Sequence, residues 1–73
     1  GMSIDEIRGK DDADLQVILE RTRHEQFNLR FKSATGDVEN PGDLRDAKRT
    51  VARILTVLKE RQAGIRGAQP HED

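Results

Sequence analysis

Cysteine, tryptophan and tyrosine are absent from this chain, and its only aromatic rings besides the two histidines are Phe27 and Phe31. Without cysteine there is no disulfide framework and no thiolate metal site, which fits a reduced, cytosolic setting. No apolar run approaches the roughly 18 residues of a membrane span, and no signal-peptide pattern opens the sequence. The histidines, His24 and His71, stand 47 positions apart with no second ligand at metal spacing, so no metal is expected. Ser3 and Ser33 have no base in sequence context, and no glycine-rich loop suggests a nucleotide. A chain of 73 residues makes one small domain. Chains of about this size bury only about 60% of the surface they expose unfolded, which leaves no deep pocket of the kind most enzymes need. The expectation is a protein with no catalytic residues and no cofactor.

What the sequence has is charge. Asp, Glu, Lys and Arg make up 37% of it, yet the net charge is −1. The near-neutrality hides a gradient: residues 1–20 sum to −4, residues 21–43 to zero, residues 44–66 to +5 and residues 67–73 to −2. An anionic partner is attracted to the third quarter and repelled by the head.

Helix signals come in order. Gly1 ahead of Met2 reads as an expression scar. Ser3 with Glu6 forms a small capping box and Gly9 ends it, giving one or two turns over residues 4–8. Asp11 caps a longer helix running to about Ser33 or Ala34, with Leu15, Leu19, Thr22, Gln26 and Leu29 along one face and Ile18 widening the stripe. Residues 35–39 form a turn around Gly36-Asp37. Asn40-Pro41-Gly42-Asp43 then starts a second long helix, with Asn40 as cap and Pro41 in the tolerated first position. Its apolar positions Leu44, Ala47, Val51, Ile54, Leu58 and Ile65, with Arg61 among them, recur at alternating steps of three and four, as in a heptad seam. Gly64 or Gly67 ends it. The predicted architecture is all-α: a long antiparallel two-helix hairpin with a short N-terminal helical turn, one domain over residues 2–66 and a disordered tail over 67–73.

Outward from the turn, this pairing sets Leu29 near Ala47, Thr22 near Ile54 and Leu15 near Arg61. Phe27, Phe31 and Ala34 fall about 100–160° from Leu15, well off the seam. Two readings stay open for the phenylalanines. They wrap around the tip to cover Val38 and Leu44, or they form an exposed patch that needs a protein partner.

Arg45, Arg49 and Arg53 follow one another at i, i+4, with Lys48 and the hydroxyl of Thr50 beside them. Relative to Val51 the cations fall at about 60–200°, mostly away from the seam. Side chains about 6 Å apart along an axis match successive phosphates of a nucleic-acid strand. Arg30 and Lys32, flanking Phe31, extend that surface. Asp46 interrupts the row, and a charge run by itself is more often a solvated face. A helix pair does not enter the deep groove of folded RNA, so contact there goes through phosphates, 2′-hydroxyls and shape.

The run Glu25-Gln26-Phe27-Asn28-Leu29-Arg30-Phe31, then Ala34-Thr35-Gly36, resembles the end of the first long helix and the turn of the bacterial large-subunit ribosomal protein twenty-nine family. Asn40-Pro41-Gly42-Asp43-Leu44-Arg45-Asp46-Ala47-Lys48-Arg49-Thr50-Val51-Ala52-Arg53-Ile54 resembles that family's next helix, and Glu6-Ile7-Arg8 its opening. The likeness spans about residues 2–63. It implies a three-helix protein dominated by an antiparallel hairpin, bound to large-subunit rRNA at the rim of the peptide exit tunnel of the cytoplasmic ribosome. Its implied neighbours are ribosomal protein twenty-three and, nearby, exit-tunnel chaperones and targeting factors. The implied RNA contacts are Arg45, Lys48, Arg49, Thr50 and Arg53, with Arg30 and Lys32 behind them. Members are usually clearly basic. Here Asp37, Glu39, Asp43 and Asp46 gather at the turn, which moves the expected RNA contact toward the middle of the later helix. The rival expectation is a non-ribosomal coiled-coil hairpin that binds protein. A thin core, polar at Thr22 and Gln26, leads one to expect low melting or self-association of the isolated chain.

Overall fold

The structure, a computed structural model, describes residues 1–37 and 40–64. It holds three helices and, among the described residues, no strand: α1 (Ile4–Arg8), α2 (Asp12–Thr35) and α3 (Pro41–Gln62). The all-α expectation is met. The expected disorder of the tail, the place of Ile65 in the seam and Val38 in the turn lie outside the described residues.

Each start is made by the capping side chain read from the sequence. The Ser3 side chain accepts from the Glu6 amide, Asp11 from the Asp14 amide at 2.9 Å, and Asn40 from the Gly42 amide at 2.9 Å. Each satisfies a first-turn N–H that has no partner inside its own helix. α2 ends at Gly36, whose φ of 84° is left-handed. From there its N–H reaches the Lys32 and Ser33 carbonyls, and the Asp37 N–H reaches that of Lys32 at 2.8 Å. A side chain at φ near +84° is strained, and glycine is not.

α2 and α3 pack together. The start of α2 meets the end of α3, where Arg61 Nη1 donates to Asp12 Oδ1 at 2.6 Å. At the other end Leu29, Lys32 and Ser33 share a cavity of about 220 Å³ with Asn40, Pro41 and Leu44. The core of Ile7, Leu15, Leu19, Ile54 and Val57 sits where α1 joins, flanked by Met2, Ile4, Ile18, Val51 and Leu58. Beyond Thr22 no residue of α2 is buried. The molecule is thick at one end and two helices thin at the other.

The seam of α3 differs from its sequence reading. Its buried residues are Ala47, Thr50, Ile54, Val57 and Arg61, while Leu44, Val51 and Leu58 are only half-buried. The 3–4 spacing is the same, but the buried face is turned by about 50° about the helix axis. The cause is α1. It packs on α3 beside α2 and seats Ile7, fully enclosed, in the core. A helix gripped from two directions buries the stripe between them.

Candidate nucleic-acid interface

The rotation of α3 decides which cations face solvent. With Ile54 and Arg61 inward, helical periodicity sends Arg45, Lys48, Arg49, Ala52, Thr56 and Lys59 outward. Arg45, Lys48, Arg49 and Lys59 are all exposed, and none makes an ion pair among the described residues. From Arg45 to Lys59 the row spans about 21 Å at 1.5 Å per residue, long enough for several phosphates. Asp46 does not interrupt it. Its carboxylate lies on the α1 flank, 3.7 Å from the terminal amine of Gly1.

Two residues of the sequence-read set stand differently. Thr50 is 5% exposed and takes the place in the buried stripe expected of Val51. The expectation that its hydroxyl stands among the outward cations is therefore corrected. Arg53 is exposed but sits at the edge of the row, donating from Nη1 to the Met2 carbonyl at 2.8 Å. Part of its guanidinium ties the N-terminal segment to α3. On α2, Arg30 and Lys32 are exposed, with Lys32 at the rim of the tip cavity.

The phenylalanines are settled by exposure. Phe27 is 66% and Phe31 64% exposed, and Ala34 is exposed too. The wrapping alternative fails. The rings project from the far side of α2, and Leu44 is half-covered without them.

Lys59 was missed by sequence reasoning, although it continues the outward face two turns beyond Ala52. The signal was present, since Arg45, Lys48, Ala52 and Lys59 share one stripe, but Lys59 lies beyond the run from Arg45 to Arg53 that the i, i+4 spacing and the family resemblance single out. Arg61 was seen as the polar member of a seam, and its partners were not. Its side chain is 2% exposed and bonds Asp12 and the carbonyls of Arg8 and Lys10.

Fold and surface together define a small all-helical protein whose chemistry is a solvated cationic face on a rigid rod. Residues 5–61 match the family model described as Ribosomal L29 protein. The chain is 46% identical over 65 residues to the large ribosomal subunit protein uL29 of Caldanaerobacter subterraneus subsp. tengcongensis, covering 89% of this chain and 98% of that one. It is 43% identical over 67 residues to the uL29 of Desulforudis audaxviator, covering 92% of this chain and all of the relative. With the uL29 of Zymomonas mobilis the identity is 49% over 59 residues, or 81% of this chain and 88% of the other. The chain belongs to the ribosomal L29 protein family. It is accordingly a structural protein of the large subunit of the cytoplasmic ribosome, a ribonucleoprotein component of translation and not an enzyme.

Proposed function

We propose that the chain works as an antiparallel helical hairpin that lays the outward face of α3 against large-subunit rRNA near the peptide exit tunnel. Arg45, Lys48, Arg49 and Lys59 neutralise phosphates, Arg53 contributes from the edge, and Arg30 and Lys32 extend the contact toward the tip. The observation that carries the reading is the exposure of these cations with no carboxylate paired to the central ones among the described residues. The contact between Arg61 and Asp12 at one end, with Leu29 and Leu44 lining one cavity at the other, supports the hairpin. The family resemblance supports the site on the ribosome, with ribosomal protein twenty-three as neighbour and chaperones or targeting factors docking nearby.

The test is a salt titration of binding to an in vitro transcript of large-subunit rRNA. Each phosphate contact contributes a slope of about −0.7 to −0.9 in log K against log salt. Lys48→Ala and Arg49→Ala should each flatten the slope by about one such step. A response to salt that is already flat in the wild type would overturn the RNA reading and favour a protein-binding hairpin.

A further inference from the structure

The far side of α2 is not explained by the α3 surface. From Arg23 to Phe31 it presents Arg23, His24, Phe27, Arg30 and Phe31, all exposed. The spacing is helical: Arg23 and Phe27 are four apart, Phe27 and Arg30 three, Phe27 and Phe31 four, so the five form one contiguous strip. The one acidic residue in this stretch, Glu25, faces the opposite flank, where it shares a cavity with Gly1, Met2, Thr22 and Asp46. None of the strip's cations makes an ion pair among the described residues. The hairpin does not use the rings either, since this half of α2 contributes nothing to the buried core.

We propose that this strip is a second RNA contact, different in kind from the first: Phe27 and Phe31 stack on unpaired bases while Arg23 and Arg30 hold the adjoining phosphates. The inference rests on the rRNA-binding reading and adds to it a base-contacting surface. Three arguments select RNA as the occupant. Charge is the first, because the apolar rings are bracketed by the cations Arg23 and Arg30, and the nearest carboxylate on that face, Glu20, lies a turn before Arg23 and not between the rings, so the strip is net cationic and its complement anionic. Ring spacing is the second. Four helical residues rise about 6 Å, close to two base-stacking steps of about 3.4 Å, so a base plane fits against or between the rings. Unpaired bases splayed onto aromatic and guanidinium planes are the usual way proteins contact single-stranded RNA elements. The third argument is against a second copy of this chain, which would bring Arg23 and Arg30 against their own like charges around a small apolar centre.

Arg30 stands where the strip borders the first surface; the rest of the strip lies away from the cationic face of α3, on a body only 17 × 16 Å in cross-section. RNA bound to both surfaces holds the rod between two segments.

The test compares wild type with the double variant Phe27→Leu/Phe31→Leu, which keeps apolar surface but removes the aromatic planes. Both rings are exposed, so the substitutions leave folding intact, and circular dichroism checks that. Binding to the large-subunit rRNA transcript is measured across salt, together with chemical probing of unpaired bases. The expected result is a loss of affinity of at least about fivefold per ring, with the salt slope unchanged and with one or two base protections lost. Arg23→Ala, the strip arginine outside the first surface, should instead flatten the slope. Steep wild-type binding with the double variant binding equally well would overturn this inference alone and leave the patch to a protein neighbour. A wild type that does not bind the transcript would overturn both readings. Concentration-dependent dimerisation abolished by Phe27→Leu/Phe31→Leu would assign the strip to a second copy and overturn the inference too.

Discussion

Arg61 near the end of α3 reaches back 49 residues to Asp12 at the start of α2, with Nη1 2.6 Å from Oδ1. The same guanidinium donates from Nη2 to the carbonyls of Lys10 at 2.8 Å and Arg8 at 3.3 Å. Arg8 is the last residue of α1 and Lys10 lies in the link between α1 and α2, so one buried cation fastens all three helices. Arginine suits the place because its planar fork serves several acceptors at once while its stem packs in the seam.

The partners of that guanidinium contribute unequally. Asp12 is two-thirds exposed, so water screens its share of the pair. The two carbonyls are part-buried, and losing their donor leaves them poorly solvated. Arg61→Ala should therefore destabilise by about 2–3 kcal/mol, and Asp12→Asn by less than about 1 kcal/mol. Urea denaturation of the two variants measures both. Equal losses would mean that the ion pair, and not the backbone clamp, is what Arg61 contributes.

Gly36 offers a cleaner backbone test. A Cβ there meets nothing within 4 Å, so crowding plays no part, and only the φ of 84° opposes a side chain. Gly36→Ala should cost about 1 kcal/mol, a fall in Tm of about 4–8 °C for a domain this size. Gly36→Asn should recover part of it, because asparagine tolerates the left-handed region better. Thermal melts followed by circular dichroism compare the three.

The corrected membership of the cationic face makes its own prediction. Thr50 is buried, where the sequence reading set it among the outward cations, and Lys59, which that reading did not include, is outward. Lys59→Ala should reduce the salt slope of rRNA binding by about 0.7–0.9, while Thr50→Ser should leave that slope unchanged. If the slope moves with Thr50 and not with Lys59, the face presented to RNA is not the outward one.

Much of this molecule was legible in its residues because the deciding signals are local. Ser3, Asp11, Asn40-Pro41 and Gly36 act within a turn of themselves, and each cap sits where its chemistry requires. The error lay in the azimuth of α3. A 3–4 repeat fixes that a helix has a buried stripe, but Val51 and Thr50 begin two equally spaced stripes, and only a third body chooses between them. That body is α1, whose five residues read as a minor turn although Ile7 is fully enclosed. The same long-range packing turned Thr50 inward and brought Lys59 onto the cationic face. Phe27 and Phe31 were ambiguous for a related reason. Their burial depended on what the tip offers, and no helix covers that half of α2.

The uneven distribution of the core predicts uneven dynamics. Around Ile7, Leu15, Leu19, Ile54 and Val57 three helices meet, while residues 23–35 of α2 pack against α3 alone through half-buried Gln26 and Leu29. Opening free energy follows local burial, so native-state amide exchange should be slowest at residues 15–22 of α2 and 54–58 of α3, and markedly faster at residues 26–35. Ile7→Ala empties a fully buried site and should cost about 2–5 kcal/mol. Because α1 reaches only the thick end, that variant should speed exchange there most and narrow the contrast with the tip. Binding to the rRNA transcript should act the other way, slowing exchange chiefly in residues 26–35, where the helix pair supplies least protection of its own. Uniform exchange along α2 in the free protein would mean that the helix pair opens as a single unit despite its one-sided core.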